Sequence, residues 1–317
     1  MLKSAVLCFI VLLLGACTAS PILKTSEITK AHPVGPANYY GASLSSGQIL
    51  VSEYGDPISL LLSLFPTQFS PFIHAGIVVI EDGVPYVYDV GATRIREEGT
   101  SSHAVLVGYV SRYPLERFVR GHTYVAIYDV PVGIDPKKVA SFAQEQYRIK
   151  RPFDSRFDAR DHKQLYCAEL VAAALEAGGA QPAVLTPVRN NTSFPAFFNW
   201  LDTSVSGLIM AGNLIKPERH VATFSTYFTP KQLHLYQAAK GEIHRRYTAD
   251  QKLGNVFQWT GMSLKYRAAV EGFLSQTLDL LPAEDEITEE DAQEAVAALA
   301  ALMFGSFDPV MSLVSDP

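Results

Sequence analysis

Ile73-His74-Ala75-Gly76-Ile77-Val78-Val79-Ile80-Glu81-Asp82-Gly83-Val84-Pro85-Tyr86-Val87-Tyr88-Asp89-Val90 is the stretch that decides how this chain folds. Two runs rich in β-branched and aromatic residues flank Asp82-Gly83, and Asp-Gly between such runs signals a two-residue hairpin turn. Setting Glu81 opposite Val84 fixes the remaining register, with Gly76 opposite Asp89 and His74 opposite Gly91. Asp89 then shares a sheet face with His74 and lies diagonally across from it, within reach of a side chain. Gly76, having no side chain, leaves room for the carboxylate to lean toward the imidazole. A carboxylate placed there can orient the ring, fix its tautomer and stabilise the imidazolium. A longer loop would shift the register and carry Asp89 to the other face. A histidine in so apolar a strand can also be an ordinary hydrogen-bonded core residue.

Outward from the hairpin the pattern mixes strands and helices. Ile49-Leu50-Val51 reads as a short strand, and Asp56-Pro57 as the cap and first residue of a helix over 58–65. Residues 105–110 and 123–130 read as further strands, with a short helix over 115–119 between them. Asp135-Pro136 opens a helix over 137–147, in which Val139, Phe142, Ala143 and Gln146 recur at helical spacing. A loop over 148–164 leads to a helix that starts near Cys167 and ends at Gly178-Gly179. From about Pro182 turns, aromatic clusters and helices take over. Thr229-Pro230 opens one helix and residues 262–281 read as another. Thr288-Glu289-Glu290-Asp291 starts a last, Ala-rich helix over 292–303. The expectation is an α+β domain over 41–205 and a mostly helical C-terminal extension over 206–317.

Cys167 lies in Leu165-Tyr166-Cys167-Ala168-Glu169-Leu170-Val171 and is one of 3 cysteines. Cys8 falls inside an apolar leader, and Cys17 ends Leu14-Gly15-Ala16-Cys17, so a processed chain would have no partner for a disulfide. A thiol at a helix start is either a small buried hydrophobe or a nucleophile whose thiolate gains from the helix dipole. Hydrolysis by cysteine needs a thiolate, a group to serve the leaving atom, and donors for an oxyanion. Cys167, His74 and Asp89 supply the first two together with an orienting acid. The Cys167 backbone N–H at a helix start is one oxyanion donor, and Tyr166 is a candidate for shaping that site.

Met1-Leu2-Lys3 followed by an apolar run over 5–14 is laid out as a secretory signal, and the run is too short to cross a bilayer as a helix. Leu14-Gly15-Ala16-Cys17 resembles a bacterial lipobox, in which Cys17 carries the lipid on its sulfur. Residues 1–17 are therefore read as a lipoprotein signal and residues 18–40 as a polar tether. Thr18 follows Cys17 in place of an aspartate, which places the expected anchor in the outer membrane, facing the periplasm. The net charge of −6 argues against nucleic acid as a partner. No Gly-x-Ser-x-Gly elbow, His-Glu-x-x-His or paired Cys-x-x-Cys occurs, so neither a serine nucleophile elbow nor a zinc site has sequence support. No phosphate-cradling glycine loop occurs, and neither a metal nor a cofactor is expected. His103, His122, His162, His220, His234 and His244 are scattered and read as surface or structural.

Four blocks taken together carry a resemblance: Gly47-Gln48-Ile49-Leu50, His74-Ala75-Gly76-Ile77-Val78, Phe153-Asp154-Ser155-Arg156-Phe157-Asp158 and Tyr166-Cys167-Ala168-Glu169-Leu170-Val171. They resemble the circularly permuted papain-like amidase family of YaeF and YiiX type, related to NlpC-type peptidases and lecithin–retinol acyltransferases. The resemblance spans roughly residues 41–200 and implies a permuted papain-like (NlpC-type) fold with a central antiparallel sheet. It implies Cys167 as nucleophile, His74 as its base, and a third polar group on the strand after the hairpin, where this chain has Asp89. Histidine precedes cysteine, the reverse of papain. Gly47-Gln48 stands where Gly-Asp is usual, and Glu169 matches the family block at a position suited to fixing the helix start. Some members are lipoproteins, in agreement with Cys17.

The expected activity is that of a cysteine hydrolase or acyltransferase on amide or ester bonds, with a lipid or a cell-wall peptide as substrate. The alternative is a catalytically idle relative that binds a lipid or peptide in the same cleft. The aromatic segments 194–201 and 224–228 either line an acyl groove or pack the extension onto the core.

Overall fold

A computed structural model of the chain describes residues 38–39, 41–95, 105–159, 162–189, 207–250, 252–260, 263–280 and 287–306. The leader with Cys17, most of the tether, His103 and the aromatic run 194–201 lie outside the described residues.

Six strands form one antiparallel sheet: β1 (Ile49–Glu53), β2 (His74–Glu81), β3 (Val84–Val90), β4 (Val110–Pro114), β5 (Tyr124–Tyr128) and β6 (His220–Ser225). Their order across the sheet is β6-β5-β1-β2-β3-β4. β2 and β3 pair with Glu81 opposite Val84 and Gly76 opposite Asp89, the register that the Asp-Gly turn predicts. Asp82 and Gly83 both take positive φ, 49° and 78°. Only a turn of that hand matches the twist of the two strands it joins, and Asp and Gly are among the few residues that accept it.

The period-2 alternation sends two sets of side chains to opposite faces. Ile49, Val51, Ala75, Ile77 and Val79 face one core. Helices α1 (Pro57–Leu64), α3 (Pro136–Arg148) and α4 (Cys167–Ala177) cover that side. Leu50, Val78, Val87, Val125 and Ile127 face the other, under the short helix α2 (Leu115–Arg120). Asp56 caps α1 by accepting the Ser59 N–H at 2.6 Å, and Asp135 caps α3 by accepting that of Lys137 at 2.9 Å.

The C-terminal helices α5 (Pro230–Asp250), α6 (Ala268–Thr277) and α7 (Glu289–Phe304) join the first core through Tyr236, Ile243, Phe273 and Val296. Among the described residues, no helix is long and apolar enough to cross a membrane.

Three elements differ from the sequence reading. The strand expected over 105–110 is two: Val105–Val107 pairs with Thr93–Ile95 in a separate ribbon, and Val110–Pro114 is the edge of the main sheet. The break falls at Gly108, where a Cβ would lie 1.9 Å from the Gly91 carbonyl oxygen. The helix expected over 262–281 begins only at Ala268; before it, Phe257–Thr260 and Ser263–Tyr266 pair as antiparallel strands. Phe, Trp, Thr and Tyr in that stretch favour a pleated, half-buried surface, and this outweighs the apolar spacing that reads as helical. Finally, β6 comes from the C-terminal region, where Phe224 packs edge-on against Tyr39 at 5.2 Å.

Candidate active site

His74 opens β2, Asp89 lies one residue before the end of β3, and Cys167 is the first residue of α4. The structure brings the three together. His74 Nε2 lies 2.9 Å from Asp89 Oδ2, and both side chains are buried. A Cβ at Gly76 would stand 3.3 Å from the Asp89 Cβ and 3.0 Å from the Tyr88 carbonyl oxygen, so a side chain there would crowd the base of Asp89. Cys167 lies close enough to His74 that each shifts the ionisation of the other. Since Asp89 takes Nε2, Nδ1 is the ring nitrogen left for other partners.

The thiol is half-buried and has backbone partners as well. The β2–β3 pairing stops at Gly76–Asp89, which leaves the Ala75 N–H outside the ladder. That N–H and the Ala168 N–H of the first turn of α4 both favour the charged form of Cys167. The sulfur also lies 3.9 Å from the Ile73 carbonyl oxygen.

Burial pushes the Cys167 thiol up, but the charge and hydrogen bond of His74 and the two N–H groups outweigh it and hold the thiol below its ordinary range. Burial pushes His74 down, yet it is held well above its usual range. The causes are the thiolate charge of Cys167 and the interactions of the ring with Asp89 and Cys167. Both directions favour thiolate and imidazolium together over thiol and neutral ring.

The start of α4 is set by Tyr166 and Glu169. Tyr166 takes the extended N-cap conformation, and Glu169 Oε2 accepts its backbone N–H at 3.3 Å. Glu169 is fully buried, and its Oε1 lies 3.2 Å from His162 Nδ1. Glu169 thus holds the helix start, as its place in the sequence block suggests. The Tyr166 hydroxyl accepts the Ile209 N–H at 2.8 Å, which fastens the ring to the segment ahead of β6. Gln48, where aspartate is usual, accepts the Ser45 N–H and donates to Asp129 Oδ1, each at 2.9 Å, tying the start of β1 to the end of β5. Asp154 accepts the N–H groups of Arg156 and Asp158 at 2.8 and 2.6 Å, shaping the loop whose Phe157 packs 5.3 Å from the Tyr166 ring. No group of three or more His, Cys, Asp or Glu side chains among the described residues is placed to hold a metal ion.

His122, read from the sequence as one scattered histidine among several, belongs to the surroundings of the site. It is buried, and its ring centroid is 5.9 Å from that of His74. Its Nδ1 donates to the Phe118 carbonyl oxygen at 2.7 Å. Nothing local in Arg120-Gly121-His122 marks this; the neighbourhood arises only once β5 pairs with β1. Burial, with a smaller push from the His74 charge, lowers His122 from 6.5 to about 3. The folded state therefore holds the ring neutral at pH values where the unfolded chain would protonate it. Stability from this source is full above pH 6.5 and is lost as pH falls from 6.5 toward about 3. His122→Phe should flatten the acid limb of a stability–pH curve in that window by up to ~1.4 kcal/mol per pH unit. Urea unfolding at several pH values checks this, and parallel curves for the two proteins would count against a neutral buried ring.

Residues 43–189 match the model of the permuted papain-like amidase enzyme family, YaeF/YiiX, C92. The resemblance carried by the hairpin and the cysteine block is thus borne out over that span. Among solved structures, the metalloprotein yiiX from Escherichia coli O157:H7 is similar at 16% identity, covering 58% of this chain and 98% of that chain with a TM-score of 0.41. No curated protein matches the chain.

Proposed function

We propose that the protein is a cysteine hydrolase of amide or ester bonds, with Cys167 as nucleophile, His74 as its acid and base, and Asp89 as the group that orients His74. The observation that carries this reading is the His74–Asp89 contact at 2.9 Å with Cys167, at the start of α4, near enough to share charge with the imidazole. The match of residues 43–189 to a family of amidase enzymes supports the coarse class.

In the first step the Cys167 thiolate attacks the substrate carbonyl carbon, forming a C–S bond. The developing oxyanion meets the Cys167 N–H at the positive end of α4. His74 then passes its Nδ1 proton to the departing nitrogen or oxygen as the C–N or C–O bond breaks. In the second step His74 removes a proton from water, the water oxygen adds to the acyl carbon, and the C–S bond breaks to return the thiolate. Asp89 keeps Nε2 protonated throughout, so that Nδ1 is always the nitrogen that works.

A pocket beside the sulfur supports an apolar acyl group on the substrate. Leu62, Phe65, Phe157, Ile209 and Met210 line it together with Cys167, and among the described residues no other charged side chain does. A cell-wall peptide, with its carboxylates and free amines, would need charged partners there. The lipobox-like Leu14-Gly15-Ala16-Cys17 supports a lipid anchor on the cell envelope, which would keep the pocket near acylated substrates.

The test is to incubate the purified protein with Gram-negative envelope lipids or with muropeptides and to follow its intact mass. The expected result is an acyl adduct on Cys167 from the lipids, absent in Cys167→Ala. Absence of any adduct from either pool, with hydrolysis no faster than in Cys167→Ala, would overturn the hydrolase reading.

A further inference from the structure

The loop that leads to Cys167 differs in charge from the rest of the chain. Residues 148–164 carry six Lys or Arg against three Asp, in a chain whose net charge is −6. Arg148, Lys150, Arg156 and Lys163 are exposed, whereas Asp154 is buried and accepts the Arg156 and Asp158 N–H groups. Glu145, the exposed acid on the last turn of α3, is paired with Arg148.

Large apolar side chains stand beside these charges. Tyr109 is 48% exposed, Tyr147 43% and Ile149 41%. Tyr109 bridges to Pro152, and the Arg151 carbonyl oxygen accepts the Val110 N–H at 2.9 Å, so the two segments lie side by side. Phe153 comes next and packs 5.9 Å from Phe157, which lines the pocket beside Cys167. A second apolar stretch reaches the same pocket. Thr186–Pro187 pairs with Gly207–Leu208, and Leu208 lines the pocket. Just ahead of that pair, Val184 is 80% exposed and Leu185 41%.

We propose that this face docks on a membrane carrying anionic phospholipids, with the basic loop 148–164 against the headgroups and Ile149, Val184 and Leu185 entering the layer beneath. The proposal rests on the hydrolase reading for what the pocket receives, and it names the bilayer as the place from which the acyl group is taken. A bilayer satisfies both kinds of side chain at once. Its phosphates meet the cations, tyrosine rings sit at headgroup level, and aliphatic groups leave water. An acyl chain could then pass into the pocket without crossing water.

The end of α3 supports this use. The Lys150 N–H donates to the Tyr147 carbonyl oxygen at 3.0 Å and the Arg151 N–H to that of Gln146 at 2.9 Å. This is a Schellman ending, and Lys150 holds its left-handed position at a φ of 51°. Backbone energetics favour glycine there. Lysine instead sets a long cation at the tip of the helix end, between the exposed Ile149 and the basic Arg151.

The experiment is sedimentation of the full chain with vesicles, in a Cys17→Ser background so that no lipid can be attached at that position. One set of vesicles is phosphatidylethanolamine with phosphatidylglycerol, the other phosphatidylcholine alone. Binding at low salt should favour the anionic set by about tenfold or more, and high salt should remove the preference. Lys150→Gly, which suits the left-handed backbone, and Lys163→Gln should each weaken binding to the anionic set about fivefold. Val184→Ser should weaken it about tenfold. Equal binding to the two sets would overturn the docking surface. So would a preference that survives Lys150→Gly and Lys163→Gln together, because the basic loop would then serve some partner other than a lipid surface. Vesicle binding is read without turnover, so either result leaves the hydrolase reading to the acyl adduct on Cys167 from detergent-dispersed lipid. A missing adduct beside a salt-sensitive preference for anionic vesicles would sink the hydrolase reading and leave the docking surface standing.

Discussion

Replacing His74 by alanine is expected to slow alkylation of Cys167 by iodoacetamide about 10²-fold at pH 6. Only the thiolate reacts, and an ordinary thiol is ionised to well under about 1% at that pH. In the native site the imidazolium beside Cys167 and the N–H groups of Ala75 and Ala168 outweigh the cost of burial. Removing the ring leaves the two N–H donors, which alone have to oppose that cost. The variant should therefore follow a single ionisation near or above the usual thiol range, without a plateau at lower pH. Asp89→Asn keeps a partner for Nε2 but loses the charge, so its profile should fall between the two. Wild type and His74→Ala reacting at the same rate at pH 6 would mean that the sulfur and the imidazole do not act as a pair.

How much of this site could be read from the sequence follows from which contacts are local. The Asp82-Gly83 turn specifies its own geometry, and through the strict alternation of strands it specifies Gly76 opposite Asp89 as well. His74 and Asp89 are thus a local inference carried fifteen residues. Cys167 reaches them from a helix whose start is also locally encoded, by Glu169 accepting the Tyr166 N–H. That the two segments meet is not local, and the sequence supports it only through the resemblance of four blocks to one family.

What escaped the sequence is everything decided by strands that pair across long separations. Tyr54, Phe118 and His122 converge on His74 because β5 lies beside β1 and β1 beside β2, although the chain visits them in a different order. The Ala75 N–H is available to the sulfur because β3 ends its pairing at Asp89, which residue patterns do not announce. β6 is equally silent, since His220-Val221-Ala222-Thr223-Phe224-Ser225 is short and half polar, and its partner β5 lies about ninety residues upstream. The sequence distance between such partners raises the entropy of pairing them only slowly, so it is no bar to the fold.

Lys240→Ala is expected to cost about 3–5 kcal/mol of stability, a large share of what a domain has. Lys240 projects from the middle of α5 into the first core and meets Glu53 Oε1 at 2.5 Å, with both side chains fully buried. Burial raises the Glu53 carboxyl above its ordinary range, while the Lys240 charge and hydrogen bond and the Gly55 N–H pull it back. Alanine at 240 would leave that carboxylate in an apolar setting beside Tyr236, whose hydroxyl stands a long 3.4 Å from both oxygens. The cost is then the desolvation of an unpaired charge and not the worth of the pair, and the two can be separated. The double variant Glu53→Leu with Lys240→Met removes both charges at similar volume and should lie close to wild type in its urea midpoint. Glu53 is the last residue of β1 and follows Ser52, which pairs with His74 across the sheet and accepts the Ile73 N–H at 3.1 Å. Lys240→Ala should for that reason also slow alkylation of Cys167 where the variant is still folded, and the double variant should restore it. A loss below about 1 kcal/mol for Lys240→Ala would show that α5 is held to the sheet by its apolar face alone, with Glu53 neutral in the fold.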